Sequence, residues 1–168
     1  YYFRKMKWLT PLCESIVSKI TCNLYNDLKR VYVPTKEIIK DLKKMANLKG
    51  NNLKLWQRGL NNELFNPDKK DPAFIKNITG NDHPNILFVS RLVWEKNLDE
   101  LTRLYDFFEK KGTPANFIIA GDGIALKELQ RKMPKAHFLG ALGHDDLSRL
   151  YASADVFYFP SDTETYGN

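Results

Sequence analysis

The second half of the chain predicts an α/β fold, a Rossmann-like parallel sheet flanked by helices. Between residues 83 and 168, four short apolar runs alternate with segments of helical periodicity. A polar or glycine-containing turn follows each run. Strands that alternate with helices in this way are typical of βαβ units, whose right-handed crossovers place helices on both faces of a parallel sheet.

The elements of this half can be assigned in order along the chain. The apolar runs predict strands at residues 86–89, 116–120, 137–139 and 156–160. The segments between them predict helices at residues 95–110, 124–132 and 145–153. Open parallel sheets bind ligands outside the carboxyl ends of their strands. We therefore expect a functional site in the turns that follow the four strands.

The first part of the chain, residues 1–60, predicts too few elements for a domain of its own. Its longest predicted element is a helix over residues 8–28, because apolar residues recur there at the four-residue spacing of a helical stripe. The stripe consists of Leu12, Ile16, Ile20, Leu24 and Leu28. We interpret this part as the remnant of a first domain.

Three shorter elements and a linker complete the prediction. Short apolar runs predict strands at residues 30–34 and 53–56. Between them a helix is predicted over residues 36–48, with Thr35 as its N-terminal cap. Residues 61–82 are polar and contain two prolines, so we interpret them as a linker between the two parts.

The net charge of +6 is concentrated in the first third of the chain. Nucleic acid, an anionic membrane or a phosphorylated ligand could each explain such an excess. Because no recognised nucleic-acid-binding module accompanies it, we expect no nucleic-acid partner. A solvated basic face and a patch that binds anionic lipid both remain open.

Two features bear on the cellular setting. No run of about 18 apolar residues is present, so no membrane-spanning helix is predicted. The two cysteines, Cys13 and Cys22, fit neither a disulfide framework nor a zinc-binding pattern. These observations favour a cytoplasmic location, with peripheral association on the cytoplasmic face of a membrane as an open alternative.

The turn after the first strand carries two cations, Arg91 and Lys96, next to Ser90. A helix is predicted to begin there, and its free N–H groups would add to the attraction for an anion. Arginine can bind two phosphate oxygens at once, and lysine acts as a point charge. The turn therefore fits a diphosphate, although surface cations that serve no ligand would have the same spacing.

Small residues mark the next two turns. Gly121 and Gly123 permit a tight turn and close backbone approach, but the sequence is not a dinucleotide fingerprint, since Leu126 stands where a third glycine is needed. The turn around Leu142 has room for a flat ring, and Asp145 suits the N-cap of the next helix. Taken alone, each of these turns could equally be an ordinary loop.

The turn after the fourth strand is a polar loop that runs from residue 161 to Asn168. One of its carboxylates, Glu164, could accept hydrogen bonds from sugar hydroxyls. If a helix begins there, the amides of the following residues could meet a phosphate.

The succession of these motifs resembles the group 1 glycosyltransferases, a family with the two-domain GT-B fold. The resemblance rests on the Phe-Val-Ser-Arg-Leu run that ends at residue 92, the Gly-Asp-Gly turn, the Tyr-Ala-Ser-Ala-Asp-Val run that ends at residue 156, and the Glu-Thr-Tyr-Gly-Asn end of the chain. It covers residues 85–168 closely and implies an incomplete donor-binding domain, the C-terminal domain of the GT-B fold.

The resemblance implies a role for each candidate residue. Arg91, Lys96 and Glu164 would be the catalytic set: the two cations would neutralise the diphosphate of a sugar nucleotide, and the glutamate would contact the transferred sugar. The remaining positions would bind the donor, and they are Ser90, Gly121, Gly123, Leu142, Thr165, Tyr166, Gly167 and Asn168.

The resemblance also implies what the parent enzyme does. It would transfer a sugar from a UDP-, GDP- or ADP-sugar to a lipid or polysaccharide acceptor, with retention of configuration and without an essential metal or other cofactor. The second glutamate of the family motif would fall beyond Asn168, and most of the acceptor-binding domain is not represented. We therefore expect this fragment to be inactive. The alternative is a non-catalytic module whose basic N-terminal part binds an anionic membrane or a protein.

Overall fold

The computed structural model describes residues 10–45, 48–56, 59 and 61–161. The chain divides into two compact units, with the division between Gly59 and Leu60. No helix in the described ranges has both the length and the apolar character needed to cross a bilayer.

The first unit combines two helices with a small parallel sheet. Helix α1 spans Thr10–Asp27 and is followed by strand β1, Val31–Val33; helix α2 spans Lys36–Lys43 and is followed by strand β2, Leu53–Leu55. The strands pair in parallel, with Val31 opposite Leu53. A small core joins them to α1 and is formed by Cys22, Val31, Val33, Leu48 and Leu53.

Helix α1 is confirmed close to its predicted bounds, but the part of its apolar stripe whose side chains are described faces solvent. Ile16, Ile20 and Leu24 are each more than half exposed, and Val17 is as well. The helix packs instead through Cys22, which is 1% exposed. Cys13 and Cys22 are both free thiols.

Helix α2 begins where predicted and ends earlier. The Thr35 hydroxyl accepts a hydrogen bond from the Ile38 N–H at 3.2 Å, which is the predicted cap. The helix ends at Lys43 rather than at residue 48. Leu48 leaves the helix to fill the small core, so burial of this leucine takes precedence over another helical turn.

The second unit contains a four-stranded parallel sheet. Its strands are β3 (Asn85–Val89), β4 (Asn116–Ala120), β5 (His137–Gly140) and β6 (Val156–Phe157). Its helices are α3 (Pro72–Thr79), α4 (Leu98–Lys111), α5 (Leu126–Lys132) and α6 (His144–Ser153). The strand order is β5-β4-β3-β6, and every pairing is parallel. The predicted Rossmann-like sheet is therefore confirmed.

Apolar side chains pack on both faces of this sheet. One core contains Phe88, Leu98, Leu101, Phe117 and Ile119. The other contains the alternate residues of the same strands, such as Leu87 and Ile118, together with Ile75 and Leu150. This alternation is expected when helices cover both faces of a parallel sheet.

The interpretation of residues 61–82 as a linker is wrong for their second half. Helix α3 spans Pro72–Thr79 and buries Ile75 against the sheet. Asp71 caps the helix by accepting a hydrogen bond from the Phe74 N–H at 2.9 Å. Proline is favoured at the first position of a helix, so the proline that suggested a loop marks a helix start.

The side chain of Arg149, in α6, makes two contacts with residues at the start of α3. Its guanidinium donates to an Asp71 carboxylate oxygen at 2.6 Å and lies over the Phe74 ring, 4.0 Å from its centroid. The hydrogen bond from Arg149 and the backbone N–H of Phe74 hold the pKa of Asp71 below its ordinary value.

This depressed pKa predicts a dependence of stability on pH. The stabilisation is complete above the unfolded-state pKa of an aspartate, about 3.9, and is lost as the pH falls through the lower folded-state value. An Asp71→Asn variant keeps a cap but loses the charge. In urea unfolding, the advantage of wild type over this variant should be constant above about pH 5 and shrink below about pH 4. An advantage that did not change with pH would contradict the assignment.

Candidate functional site

The candidate site lies at the carboxyl edge of the second unit's sheet. Strand β3 is flanked by β4 on one side and β6 on the other, so the turns after these three strands meet at one edge. The predicted cations follow β3, the Gly-Asp-Gly turn follows β4, and the loop that leads to Glu164 follows β6. The topology therefore brings together three of the four turns that the sequence singled out.

The turns after β3 and β4 are joined by main-chain hydrogen bonds. The Leu92 N–H donates to the Asp122 carbonyl at 2.8 Å, and the Leu92 carbonyl accepts from the Ala125 N–H at 3.0 Å. The Ser90 N–H donates to the Ala120 carbonyl at 3.1 Å. These bonds extend the pairing of the strands into the turns, so the two turns form one continuous edge.

Gly121 and Gly123 make this close contact possible. A Cβ atom on Gly121 would lie 1.8 Å from the Ser90 carbonyl oxygen, and one on Gly123 would lie 2.4 Å from the Leu92 carbonyl oxygen. Gly121 also has a φ of +133°, which side chains rarely adopt. The predicted close backbone approach is thus present. Because these glycines have no Cβ, the backbone of the turn after β3 can lie directly against them.

Arg91 is exposed at this edge. Its side chain is 74% exposed, and its nearest guanidinium nitrogen lies 3.8 Å from Glu95 Oε1, whose side chain is exposed as well. Exposed pairs at such a distance contribute little to stability. The guanidinium can therefore turn toward a ligand at small cost.

Lys96 lies in a 3-10 turn and not in the helix that the sequence predicted. This turn spans Trp94–Lys96, and α4 begins only at Leu98, after Asn97. The prediction of a helix start at residue 95 is therefore wrong by three residues. Lys96 is half-buried and stands in the same turn as Arg91, so the two predicted cations share one loop.

Asn97 is a residue of this region that the sequence analysis missed. Its side-chain amide donates to the Pro160 carbonyl at 3.2 Å, which joins the turn after β3 to the chain that follows β6. It also adopts a left-handed backbone conformation, with a φ of 58°. Asparagine before a helix is a typical turn residue, which is the local signal that could have indicated it.

The turn after β5 lies farther along the same edge. Leu142 is half-buried and packs into the core formed by Leu87 and Ile118. Gly143 caps α6, whereas Asp145 lies in the first turn of that helix, so the prediction of Asp145 as the cap is wrong. Packing therefore explains the leucine side chain of this turn. The backbone of the turn stays a candidate for contact with the base of a nucleotide.

Five of the predicted site residues lie outside the residues that the structure describes. They are Glu164, Thr165, Tyr166, Gly167 and Asn168. Strand β6 ends at Phe157 rather than at the predicted residue 160. Tyr158 nevertheless continues the pairing, since its N–H donates to the Leu87 carbonyl at 2.9 Å.

A cleft at the opposite, amino edge of the sheet has a different character. It has a volume of about 240 Å³, and its lining includes Lys70, Lys76, His83 and Asp155. Lys76 is already paired with Asp82, which also lines the cleft, at 2.9 Å. Because charges of both signs meet there, this cleft fits a diphosphate less well than the edge with Arg91 and Lys96. Over the described ranges, no three His, Cys, Asp or Glu side chains are grouped to hold a metal ion.

The fold and this edge define a doubly wound α/β unit whose ligand-type turns lie together at the carboxyl ends of its strands. Residues 69–168, more than half of the chain, match the family described as glycosyl transferases group 1. The chain therefore belongs to the group 1 glycosyltransferases, as the resemblance indicated.

Curated relatives agree with this assignment. The chain is 33% identical, over 98% of its length, to a GDP-mannose-dependent alpha-mannosyltransferase of Corynebacterium glutamicum. It is 35% identical, over 80% of its length, to sulfoquinovosyl transferase SQD2 of Arabidopsis thaliana. These alignments cover only 38% and 26% of the two relatives, so the chain spans about a third of their length.

Solved structures confirm the fold. HepE of Anabaena, solved in complex with UDP-glucose, matches with a TM-score of 0.68 at 18% identity, covering 88% of this chain and 43% of that one. WaaG, a glycosyltransferase involved in lipopolysaccharide biosynthesis, matches with a TM-score of 0.61 at 18% identity, covering 81% of this chain and 39% of that one. Both support the GT-B assignment of the architecture.

Proposed function

We propose that this chain is the donor-binding part of a glycosyltransferase and that the carboxyl edge of its sheet binds a nucleoside diphosphate sugar. One observation carries the proposal: the turn with Arg91 and Lys96 is bonded to the Gly-Asp-Gly turn at the edge where parallel sheets bind ligands. Arg91 is exposed there, and the ion pair that it makes within the described part of the chain, with Glu95, is long and exposed.

The chemistry of the two cations fits the proposed role. A diphosphate that leaves during glycosyl transfer gains negative charge in the transition state, and fixed positive charges near it lower the barrier. Arg91 would bind two phosphate oxygens, and Lys96 would act as a point charge. With these cations in place, the proposal requires no essential metal.

The remaining donor contacts are proposed from the family. Glu164 would accept hydrogen bonds from the transferred sugar, and residues 165–168 would line the sugar and phosphate through their amides. Ser90, Gly121 and Gly123 would form the floor of the cleft, and the backbone near Leu142 would meet the base. Transfer with retention of configuration belongs to the same proposal.

The names of the relatives indicate which classes of donor and acceptor to test first. GDP-mannose stands in the name of the Corynebacterium relative, and UDP-glucose is bound in the HepE structure, so UDP- and GDP-sugars are the first donors to test. One further relative is named as a phosphatidylinositol N-acetylglucosaminyltransferase subunit of Homo sapiens. Together with the lipopolysaccharide role named for WaaG, this favours a lipid or polysaccharide acceptor. We expect no transfer by the 168 residues alone.

Calorimetric titration of the chain with UDP, GDP and ADP tests the donor site. We expect saturable binding of at least one nucleotide, weakened by added salt because the contacts are ionic. Adding EDTA should not change the affinity. Lack of binding by all three nucleotides would refute the proposed donor site.

A second proposal concerns an anionic membrane as the partner of the first unit. An exposed apolar face of α1, formed by Ile16, Val17, Ile20 and Leu24, has the character of a helix face that inserts between lipid headgroups. Residues 1–59 contain 13 Lys and Arg against 4 Asp and Glu, which complements anionic lipid. The enzyme would then work as a peripheral protein on the cytoplasmic face of a membrane.

Sedimentation with vesicles tests this second proposal. Wild type should pellet with vesicles that contain phosphatidylserine and much less with neutral ones. Ile20→Gln with Leu24→Gln should lower the bound fraction several-fold, whereas Phe107→Gln with Ile124→Gln, at exposed apolar positions of the second unit, should not. Equal loss in both variants, or self-association that hides the stripe in sedimentation velocity, would refute the membrane assignment.

A further inference from the structure

We infer that Asn97 is a positioning residue, which holds the cation-bearing turn after β3 against the chain that follows β6, at Pro160. The inference rests on the proposed donor site and adds to it a residue that contacts neither phosphate nor sugar. Two observations support it: the backbone conformation of Asn97, and the hydrogen bond that its side chain makes to Pro160.

The backbone of Asn97 separates two helical segments. With φ 58° and ψ 41°, it interrupts the path between the 3-10 turn that ends at Lys96 and the helix that begins at Leu98. Its N–H donates to the Trp94 carbonyl at 3.0 Å, and its carbonyl accepts from the Glu100 N–H at 3.0 Å. Lys96 therefore stays in the 3-10 turn and does not become part of α4.

The left-handed conformation alone does not explain the residue type. Glycine adopts it without a steric cost, whereas asparagine is tolerated at some cost. An asparagine before a helix ordinarily caps it, but the side chain of Asn97 makes no capping hydrogen bond. What asparagine adds here is the amide that donates to the Pro160 carbonyl, 63 residues further along the chain.

The hydrogen bond from Asn97 to Pro160 lies just beyond the point where the pairing of β3 with β6 ends. The ladder pairs Ile86 with Val156 and Leu87 with Phe157, and it reaches Tyr158 through one more main-chain bond. Asn97 adds a contact beyond it, at Pro160, between the cation-bearing turn and the chain that follows β6. Arg91 and Lys96 lie in the turn that this bond holds, so the bond helps to fix where the two cations can meet a diphosphate.

An Asn97→Gly variant separates this role from a structural one. Glycine allows the same backbone conformation and removes the side chain that carries the amide. We expect the affinity for the nucleotide that wild type binds best among UDP, GDP and ADP to fall about fivefold, which corresponds to one ordinary hydrogen bond. The melting temperature should fall by no more than about 4 °C.

Gly80→Ala is the matched control. Gly80 also has a positive φ, of 71°, and caps α3 at the amino edge of the sheet, away from the proposed site. Alanine there should lower the melting temperature at least as much as Asn97→Gly and leave the nucleotide affinity within about twofold. This crossed result supports the inference, because a purely structural role of Asn97 would couple affinity to stability in both variants.

Two outcomes would overturn the inference. If wild type binds a nucleotide and Asn97→Gly binds it equally well, Asn97 has no positioning role while the donor site stands. If wild type binds none of the three nucleotides, the donor site itself is refuted and the role of Asn97 falls with it. The two failures are therefore distinguishable.

Discussion

Replacing Gly121 with alanine should destabilise the second unit by at least about 3 kcal/mol, because the new Cβ meets a main-chain oxygen and the backbone is strained as well. The Cβ would lie 1.8 Å from the Ser90 carbonyl oxygen, and Gly121 has a φ of +133°. Relief requires the turns after β3 and β4 to move apart. Urea unfolding followed by circular dichroism measures the loss, and nucleotide binding should be lost with it.

Gly80→Ala controls for the backbone part of this effect. Gly80 also has a positive φ, but nothing lies within 4 Å of the position that its Cβ would take. It should cost only about 1 kcal/mol, the usual penalty for alanine in such a conformation. Equal losses in the two variants would show that the turns at the candidate site are not packed as closely as the structure indicates.

The double variant Arg91→Ala with Lys96→Ala should weaken nucleotide binding about 100-fold. Each charge-assisted hydrogen bond to a phosphate contributes roughly 1.5–3 kcal/mol, and the two cations face the same diphosphate in the proposed complex. The Arg91 part of the double change should cost little stability, since Arg91 is 74% exposed and its ion pair with Glu95 is long. Titration calorimetry at low ionic strength measures the difference.

Lys110→Ala is the control for loss of charge. Lys110 is exposed and lies in the last turn of α4, toward the opposite edge of the sheet from the proposed site. Its removal should change the affinity by less than about twofold, because an exposed charge farther away than a Debye length is screened. Similar losses in this control and in the double variant would indicate a general attraction for anions rather than a site.

Much of the fold of the second unit could be predicted, because there the local sequence pattern agrees with the way each element packs in the folded unit. Strand β4 spans residues 116–120 as predicted, since a run of apolar residues is buried on both faces of the sheet. Helix α3 was missed because Pro72 suggested a loop. The Asp71 cap just before it gave the opposite signal.

The candidate site was predictable only where its residues act locally. Glycine turns and clustered cations follow strands directly, so the placement of Arg91, Lys96 and Gly121 in turns at one edge of the sheet could be predicted from their spacing. The role of Asn97 depends on Pro160, and no sequence pattern reports a contact over 63 residues. The exposure of the α1 stripe was equally hidden, because periodicity shows that a face is apolar but not what covers it.

Chemical-shift mapping of the chain with its preferred nucleotide, by two-dimensional ¹⁵N NMR, tests the central claim most directly. The donor site predicts that the largest saturable shifts fall on Arg91, Lys96 and Gly121, at the carboxyl edge of the sheet. Saturable shifts confined to the amino-edge cleft near His83 and Asp155, with none at Arg91 and Lys96, would contradict it.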